Sequence, residues 1–333
     1  MVVIGASAGG VDALTTLVRG LPADFPAPVC IVLHIPPDSP SLLAHILERE
    51  GPLPAKEAED GERYRNGTIY VAPPDRHLLV GRDGRLRIVR GPRENRHRPG
   101  VDPLFRSAAA ALGADVVGVI LTGALDDGTA GLLAVKKRNG IAIVQDPNDA
   151  LYPAMPSSAI EHVDVDHILP LADIPRQLTL TVNEPRRTAA QPHPDHDLLM
   201  EVRIAELDSR TLQDDHRPGD PSPYSCPDCG GVLWEIEDGN YVRFRCRVGH
   251  AYSPESMLGA QSDVLEEALW TAMKTLEESA RLSRRLARVE RTRGHSWLAK
   301  RFEEKEHEAR ERVEVIRKFL QNDTSEVPVE VSR

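Results

Sequence analysis

Four groups of residues in this chain have types and spacing that could do chemistry. The first is Gly5-Ala6-Ser7-Ala8-Gly9-Gly10, which follows the apolar run Val2 to Ile4 and precedes a helical pattern starting near Val11. A serine placed there stands at the carboxyl end of a strand and near a helix amino terminus, where backbone N–H groups and the helix dipole favour developing negative charge. The string fits the G-x-S-x-G nucleophile elbow, and it equally fits a turn that closes a βα unit or cradles a phosphate. The second group is His34, directly after the apolar run Val29 to Leu33. In an open α/β sheet, the carboxyl edge of the strands is where sites are built.

The third group is Asp126 and Asp127, in the string Leu121 to Gly128 after another apolar run. Capping of the following helix is the ordinary use of either carboxylate. One of them placed against His34 would hold the imidazole in the tautomer that takes the Ser7 proton. The expectation is therefore a hydrolytic triad of Ser7 as nucleophile, His34 as general base and then acid, and Asp127 as the orienting carboxylate. Its chain order, Ser then His then Asp, differs from that of the α/β-hydrolases.

The fourth group pairs Cys226-Pro-Asp-Cys229 with Cys246-Arg-Val-Gly-His250. Three thiolates and one imidazole make a soft tetrahedral set suited to zinc, and four protein ligands leave no open position. The expected role is structural, a zinc that stabilises folding without entering the ester chemistry; four core residues without metal are the alternative. A basic string, Arg93, Arg96, His97 and Arg98, reads either as a solvated face or as an attractor of acidic helices.

These groups need elements to position them. From Met1 to about Leu180, short β-branched runs alternate with helical patterns, as in a parallel sheet with crossover helices. The strand candidates are Val2 to Ile4, Val29 to Leu33, Thr68 to Val71, Val116 to Leu121 and Ile141 to Val144. Leu78 to Val80 and Leu86 to Val89 flank Arg82-Asp83-Gly84 and predict a hairpin attached to the sheet edge. The expected fold class is α/β, a doubly wound, mostly parallel sheet with an edge hairpin, then a small zinc-ribbon-like module and a carboxyl-terminal helical hairpin. The expected boundaries are 1–180 for the catalytic domain, 181–222 for a linker with a short apolar patch, 223–253 for the cysteine module, 254–321 for the helical hairpin and 322–333 for a tail. Leu258, Leu265, Leu269, Ala272, Leu276 and Leu286, then Leu298, Phe302, Ala309, Val313, Ile316 and Leu320, form apolar stripes on either side of Gly294.

Composition narrows the function classes. At 333 residues the chain has room for about two domains. With 51 acidic against 41 basic residues and a formal charge of −10, a phosphate backbone would repel it. Aromatics at 4% leave little for stacking bases. No apolar run approaches the ~20 residues needed to span a bilayer, so a cytoplasmic protein without membrane insertion is expected. Four cysteines are too few for a disulfide scaffold.

The strings IGASAGG, LHIPP, YVAPPDRH from Tyr70 to His77, NRHRPGVDPLF from Asn95 to Phe105, and LTGALDDGTAG occur in this order. On them, the segment from about Val2 to Leu178 resembles the catalytic domain of the CheB-type chemotaxis methylesterases. The resemblance implies a triad on Ser7, His34 and Asp127, a γ-glutamyl methyl ester on a chemoreceptor helix as substrate with release of methanol, and deamidation of receptor glutamines at the same site. It implies no cofactor for catalysis. The implied partners are a methylated chemoreceptor or related signalling protein and a separate receiver or methyltransferase; the carboxyl-terminal helices could pair copies of the chain. Two departures stand out. Ala124 takes the place of a methionine common in the family, in a loop associated with binding the oxyanion. The receiver domain that usually precedes this catalytic domain is not expected ahead of Ser7, so control by phosphorylation within this chain is not inferred. Two other classes stay open: a signalling scaffold with the fold but weak turnover, and a nucleotide-binding protein using the Gly5 to Gly10 loop.

Overall fold

The computed structural model describes residues 1–184, 193–208, 211 and 216–322. They fall into two compact units, Met1–Met257 and the residues from Leu258 onward. The stretches 185–192, 209–210 and 212–215 of the expected linker, and the tail from 323, lie outside the described residues.

In chain order the first unit begins β1 (Val2–Ala6), α1 (Gly10–Arg19), β2 (Val29–Leu33), α2 (Leu43–Glu50), β3 (Ala55–Glu57), β4 (Ile69–Val71), β5 (His77–Val80), β6 (Leu86–Val89) and α3 (Val101–Leu112). It continues with β7 (Val117–Ile120), α4 (Thr129–Lys137), β8 (Ile141–Gln145), α5 (Ala154–His162), β9 (His167–Leu169), α6 (Ile174–Asn183) and α7 (His196–Ala205). Seven strands form one parallel sheet in the order β3-β4-β2-β1-β7-β8-β9.

Alternation along the strands builds two cores. Val2, Ile4, Val29 and Ile31 point to the side covered by α1, α2 and α6. Val3, Cys30, Val32 and Val144 point to the side covered by α3, α4 and α5. Cys30 is fully buried there, and burial pushes its thiol up to about 12, which makes it packing rather than chemistry. The chain leaves β1 toward β2 on one side and returns to β7 on the other, so the order reverses at β1. A doubly wound sheet opens its ligand crevice at such a point.

All five strand candidates are present, and β3 and β9 join them at the two sheet edges. The hairpin differs from expectation. β5 and β6 pair only with each other and pack on α3, because Leu78, Val80 and Leu86 are buried in the second core while β3 already occupies the nearer sheet edge.

The cysteine region is a four-stranded antiparallel sheet, β10 (Asp220–Ser225), β11 (Val232–Asp238), β12 (Tyr241–Cys246) and β13 (Ala251–Tyr252). It belongs to the same compact unit as the parallel sheet. The helix Pro254–Thr292 starts where this unit ends, and Ser296–Asn322 follows after Gly294, whose φ of 79° suits glycine. The two helices run antiparallel, with Arg284 bonded to Glu306 and Arg317 facing Glu277. Ala280, Ala287, Ala299, Ala309 and Val313 are buried, while Leu258, Leu265 and Leu282 stay exposed. No helix among the described residues is long and apolar enough to cross a membrane.

Candidate active site and metal centre

Three neighbouring strands deliver the three residues. The sheet ladder continues past the strand ends: His34 N donates to Ala6 O, Leu121 N to Gly5 O, and Ser7 N to Thr122 O. Ser7, His34 and the loop after β7 therefore share the carboxyl edge at the reversal point. His34 Nδ1 lies 3.1 Å from Ser7 Oγ, and His34 Nε2 lies 2.7 Å from Asp127 Oδ2. With the carboxylate as acceptor, Nε2 carries the proton and the Nδ1 lone pair faces the serine hydroxyl. Such an imidazole can take the Ser7 proton as the oxygen attacks a carbonyl.

Asp127 is held tightly. Its Oδ2 also accepts from Val101 N at 2.7 Å, and its Oδ1 accepts from Asn95 Nδ2 at 3.0 Å and Asp102 N at 3.3 Å. The two amides open α3, so the carboxylate sits on the positive end of that helix. Burial works to raise the Asp127 carboxyl, but the His34 hydrogen bond, the His34 charge and the Val101 amide together hold it well below the usual range. It remains an anion throughout neutral pH.

Asp126 points away from His34. Its Oδ1 accepts from Ser253 Oγ at 2.7 Å and its Oδ2 from Tyr241 Oη at 3.1 Å. Burial pushes its carboxyl up to about 7 despite those two bonds. Of the adjacent carboxylates, the structure brings only Asp127 to the imidazole.

Other residues of the site carried no separate sequence signal. The His97 ring stacks on His34, centroids 3.7 Å apart and planes within 9°. Burial, reinforced by the His34 charge, pushes His97 down to about 4, so a neutral ring shields one face of the imidazole. In the basic string Arg93 and Arg96 are exposed and His97 and Arg98 half-buried, and Arg98 turns inward to bond Asp75 and Gly91 O. His77 is buried, accepting from Gly100 N and donating to Pro92 O, which closes the ends of the loop that carries Asn95 and His97. Two glycines are needed for close approach: a Cβ on Gly5 would meet Val101 Cγ1 at 2.3 Å, and one on Gly123 would meet Met155 Sδ at 2.0 Å and Ser7 Cβ at 2.9 Å. At Gly5 the requirement is thus helix packing against β1. Ala124 lies next to that crowded point.

Behind the site runs a buried charged seam. Glu94 on the Asn95 loop pairs with Arg106 of α3 and Arg245 of β12. Glu201 of α7 receives both Arg243 amino groups and one from Arg245. Burial opposes ionisation of Glu201, yet the three guanidinium groups around it hold its carboxyl far below the usual range.

The four expected metal ligands converge, all ligand atoms lying within 4.8 Å of one another. Cys229 Sγ and Cys246 Sγ are 3.7 Å apart, and His250 Nδ1 is 3.6 Å from Cys226 Sγ and 3.5 Å from Cys246 Sγ. A tetrahedral zinc with ordinary bond lengths needs about 3.8 Å between sulfurs and about 3.6 Å between sulfur and nitrogen. The donor set and its spacing fit such an ion, so the cluster could hold a metal. A second group among the described residues, His196, Asp197 and His216, meets the same spacing but is exposed and offers only three ligands.

Residues 2–178 match the model of the CheB methylesterase family. Over 173 residues the chain is 43% identical to a Leptospira interrogans protein provisionally named a protein-glutamate methylesterase/protein-glutamine glutaminase, covering 52% of this chain and 90% of that one. It is 42% identical over 181 residues to protein-glutamate methylesterase/protein-glutamine glutaminase 1 of Geobacter metallireducens, covering 54% of this chain and 50% of that protein. The chain thus spans about half the length of the Geobacter relative. Among solved structures it is similar to the CheB methylesterase catalytic domain of Thermotoga maritima, with TM-score 0.53 and 38% identity over 54% of this chain and 97% of that one.

Proposed function

The chain belongs to the CheB methylesterase family, and from that premise we propose that it hydrolyses glutamate γ-methyl esters on chemoreceptor-like proteins through Ser7, His34 and Asp127. The observation that carries this reading is the unbroken line from Ser7 Oγ through His34 to Asp127, drawn from the ends of three adjacent strands.

In this reaction Ser7 Oγ attacks the ester carbonyl carbon while its proton passes to His34 Nδ1. The imidazolium that forms is stabilised by Asp127, which stays ionised. Collapse of the tetrahedral intermediate expels the methoxy group, which takes the proton from His34 and leaves as methanol. Water, deprotonated by His34, then attacks the glutamyl-Ser7 ester, and Ser7 recovers its proton as the free glutamate departs. A receptor glutamine enters the same sequence with ammonia as the leaving group. The α1 amino end, just beyond Ser7, favours the negative charge of both intermediates. No step calls for a cofactor.

In the same reading Cys226, Cys229, Cys246 and His250 hold one zinc that ties the first and last strands of the antiparallel sheet together. The ion would supply folding energy and no chemistry, since all four positions are taken by protein.

Methanol release from methylated receptor should fall by about three orders of magnitude or more in Ser7→Ala while the fold is kept. Equal release from both proteins would remove the triad.

A further inference from the structure

The loop that carries the triad acid is supported from behind by residues far later in the chain. Asn95 is almost fully buried, and every hydrogen-bonding position of its amide is used. Its Nδ2 donates to Asp102 Oδ2 and Asp127 Oδ1, both at 3.0 Å. Its Oδ1 accepts from Ser253 N at 2.9 Å and Ser256 Oγ at 3.1 Å. The orientation of this amide is set by two partners of fixed role, the Ser253 N–H, which can only donate, and the ionised Asp127 carboxylate, which can only accept. Ser253 Oγ also reaches Asp126, so one short segment grips both neighbours of the acid position.

We propose that the exit of the cysteine-bearing sheet is a working part of the active site: Ser253 and Ser256 hold Asn95, Asn95 fixes the Asp127 carboxylate that orients His34, and the metal state of the Cys226, Cys229, Cys246 and His250 cluster thereby sets turnover. The inference rests on the triad reading above, and its three links are all short. Cys246 ends β12 and His250 immediately precedes β13, so a metal that joins them to Cys226 and Cys229 fixes where β13 begins. Ala251 of β13 accepts from Asn95 N at 2.8 Å, and Ser253 follows directly after the strand. Loss of the metal frees the turn between β12 and β13, withdraws Ser253 and Ser256 from Asn95, and leaves its amide free to turn away from Asp127. A carboxylate that has lost one of its fixed donors no longer holds His34 in a single orientation. Asn95, Ser253 and Ser256 act here as positioning residues, since none of them reaches Ser7 or the His34 ring.

The test uses the full chain in four forms: zinc-loaded, stripped by a chelator, restored with a zinc salt, and Ser256→Ala with its metal in place. Metal analysis of the first form should return about one zinc per chain. Stripping should lower kcat on a small methyl ester by about tenfold with KM nearly constant, and the zinc salt should restore it. Ser256→Ala removes the hydroxyl that Ser256 shares between Asn95 Oδ1 and Ser253 O, and should lower kcat by about fivefold, again with KM unchanged. The downfield imidazole proton of the His34–Asp127 hydrogen bond should broaden in the stripped form and in Ser256→Ala. The proposal is overturned if that resonance and kcat stay constant in both forms while only thermal stability falls. Hydrolysis that survives in Ser7→Ala would instead sink the triad reading, and the imidazole resonance would still decide whether the cluster and the site are linked.

Discussion

The two units use charge in opposite ways. In Met1–Met257 the seam residues Glu94, Arg106, Glu201 and Arg245 are each at most 2% exposed, and every carboxylate faces more than one guanidinium. In the helices after Leu258 several ion pairs lie in solvent, as between Arg291 and Glu303 or Arg312 and Glu308. A buried pair gains little over apolar packing, yet removing one partner strands the other charge and costs about 3–5 kcal/mol. An exposed pair is worth about 0–1 kcal/mol. The seam therefore joins α3, α7 and β12 through buried charge. In the helical unit the pairing is set by the buried alanines, and the charges chiefly keep the outer surface in water.

Three substitutions test this contrast. Glu201→Gln leaves Arg243, Arg245 and Arg106 without their shared anion, and should lower unfolding stability by about 3–5 kcal/mol in urea titration. A loss near zero would mean the seam relaxes and specifies nothing. Asp126 offers a pH-dependent version. Its folded carboxyl is pushed up to about 7 by burial, above the ordinary value near 4, so the folded state binds this proton more tightly than the unfolded chain. The stabilisation is fully present below about pH 4 and is lost as pH rises through about 7. Asp126→Asn stays neutral, so it should remove on the order of 2–4 kcal/mol of decline from the stability profile over that window. An unchanged slope would show that this carboxyl is ionised at no cost. Arg291→Ala, on the helical hairpin, should shift stability by under about 0.5 kcal/mol, and by less in high salt.

The parallel-sheet region was legible because apolar runs, glycines and turn residues act locally. Val29 to Leu33 reads as a strand without reference to anything else, and His34 inherits its place from that strand. The two missed strands lack this signal: Ala55–Glu57 ends in two polar residues, and His167–Leu169 is a three-residue edge with Ile168 exposed. The hairpin was legible as a hairpin, but where its apolar face would pack depended on α3. Asn95 was invisible for a different reason. It adopts a φ of 48°, which asparagine tolerates, and the partners of its Oδ1 lie 158 and 161 residues away. Ser253 did carry a local mark, a serine before Pro254 at a helix start whose Oγ accepts from Ser256 N. That mark predicts a cap and says nothing about Asp126.

The distance between Ser7 and Ser256 also orders events in time. A ribosome adding about 5–20 residues per second exposes Ser7 on the order of 10–50 s before Ser253 and Ser256. Through that interval the strands bearing Ser7, His34 and Asp127 can pair, while Glu94 and Arg106 wait for Arg245. On the proposal above, the nascent protein stays slack until the cysteine sheet emerges, and its site matures with that sheet rather than with the strands that bear Ser7, His34 and Asp127.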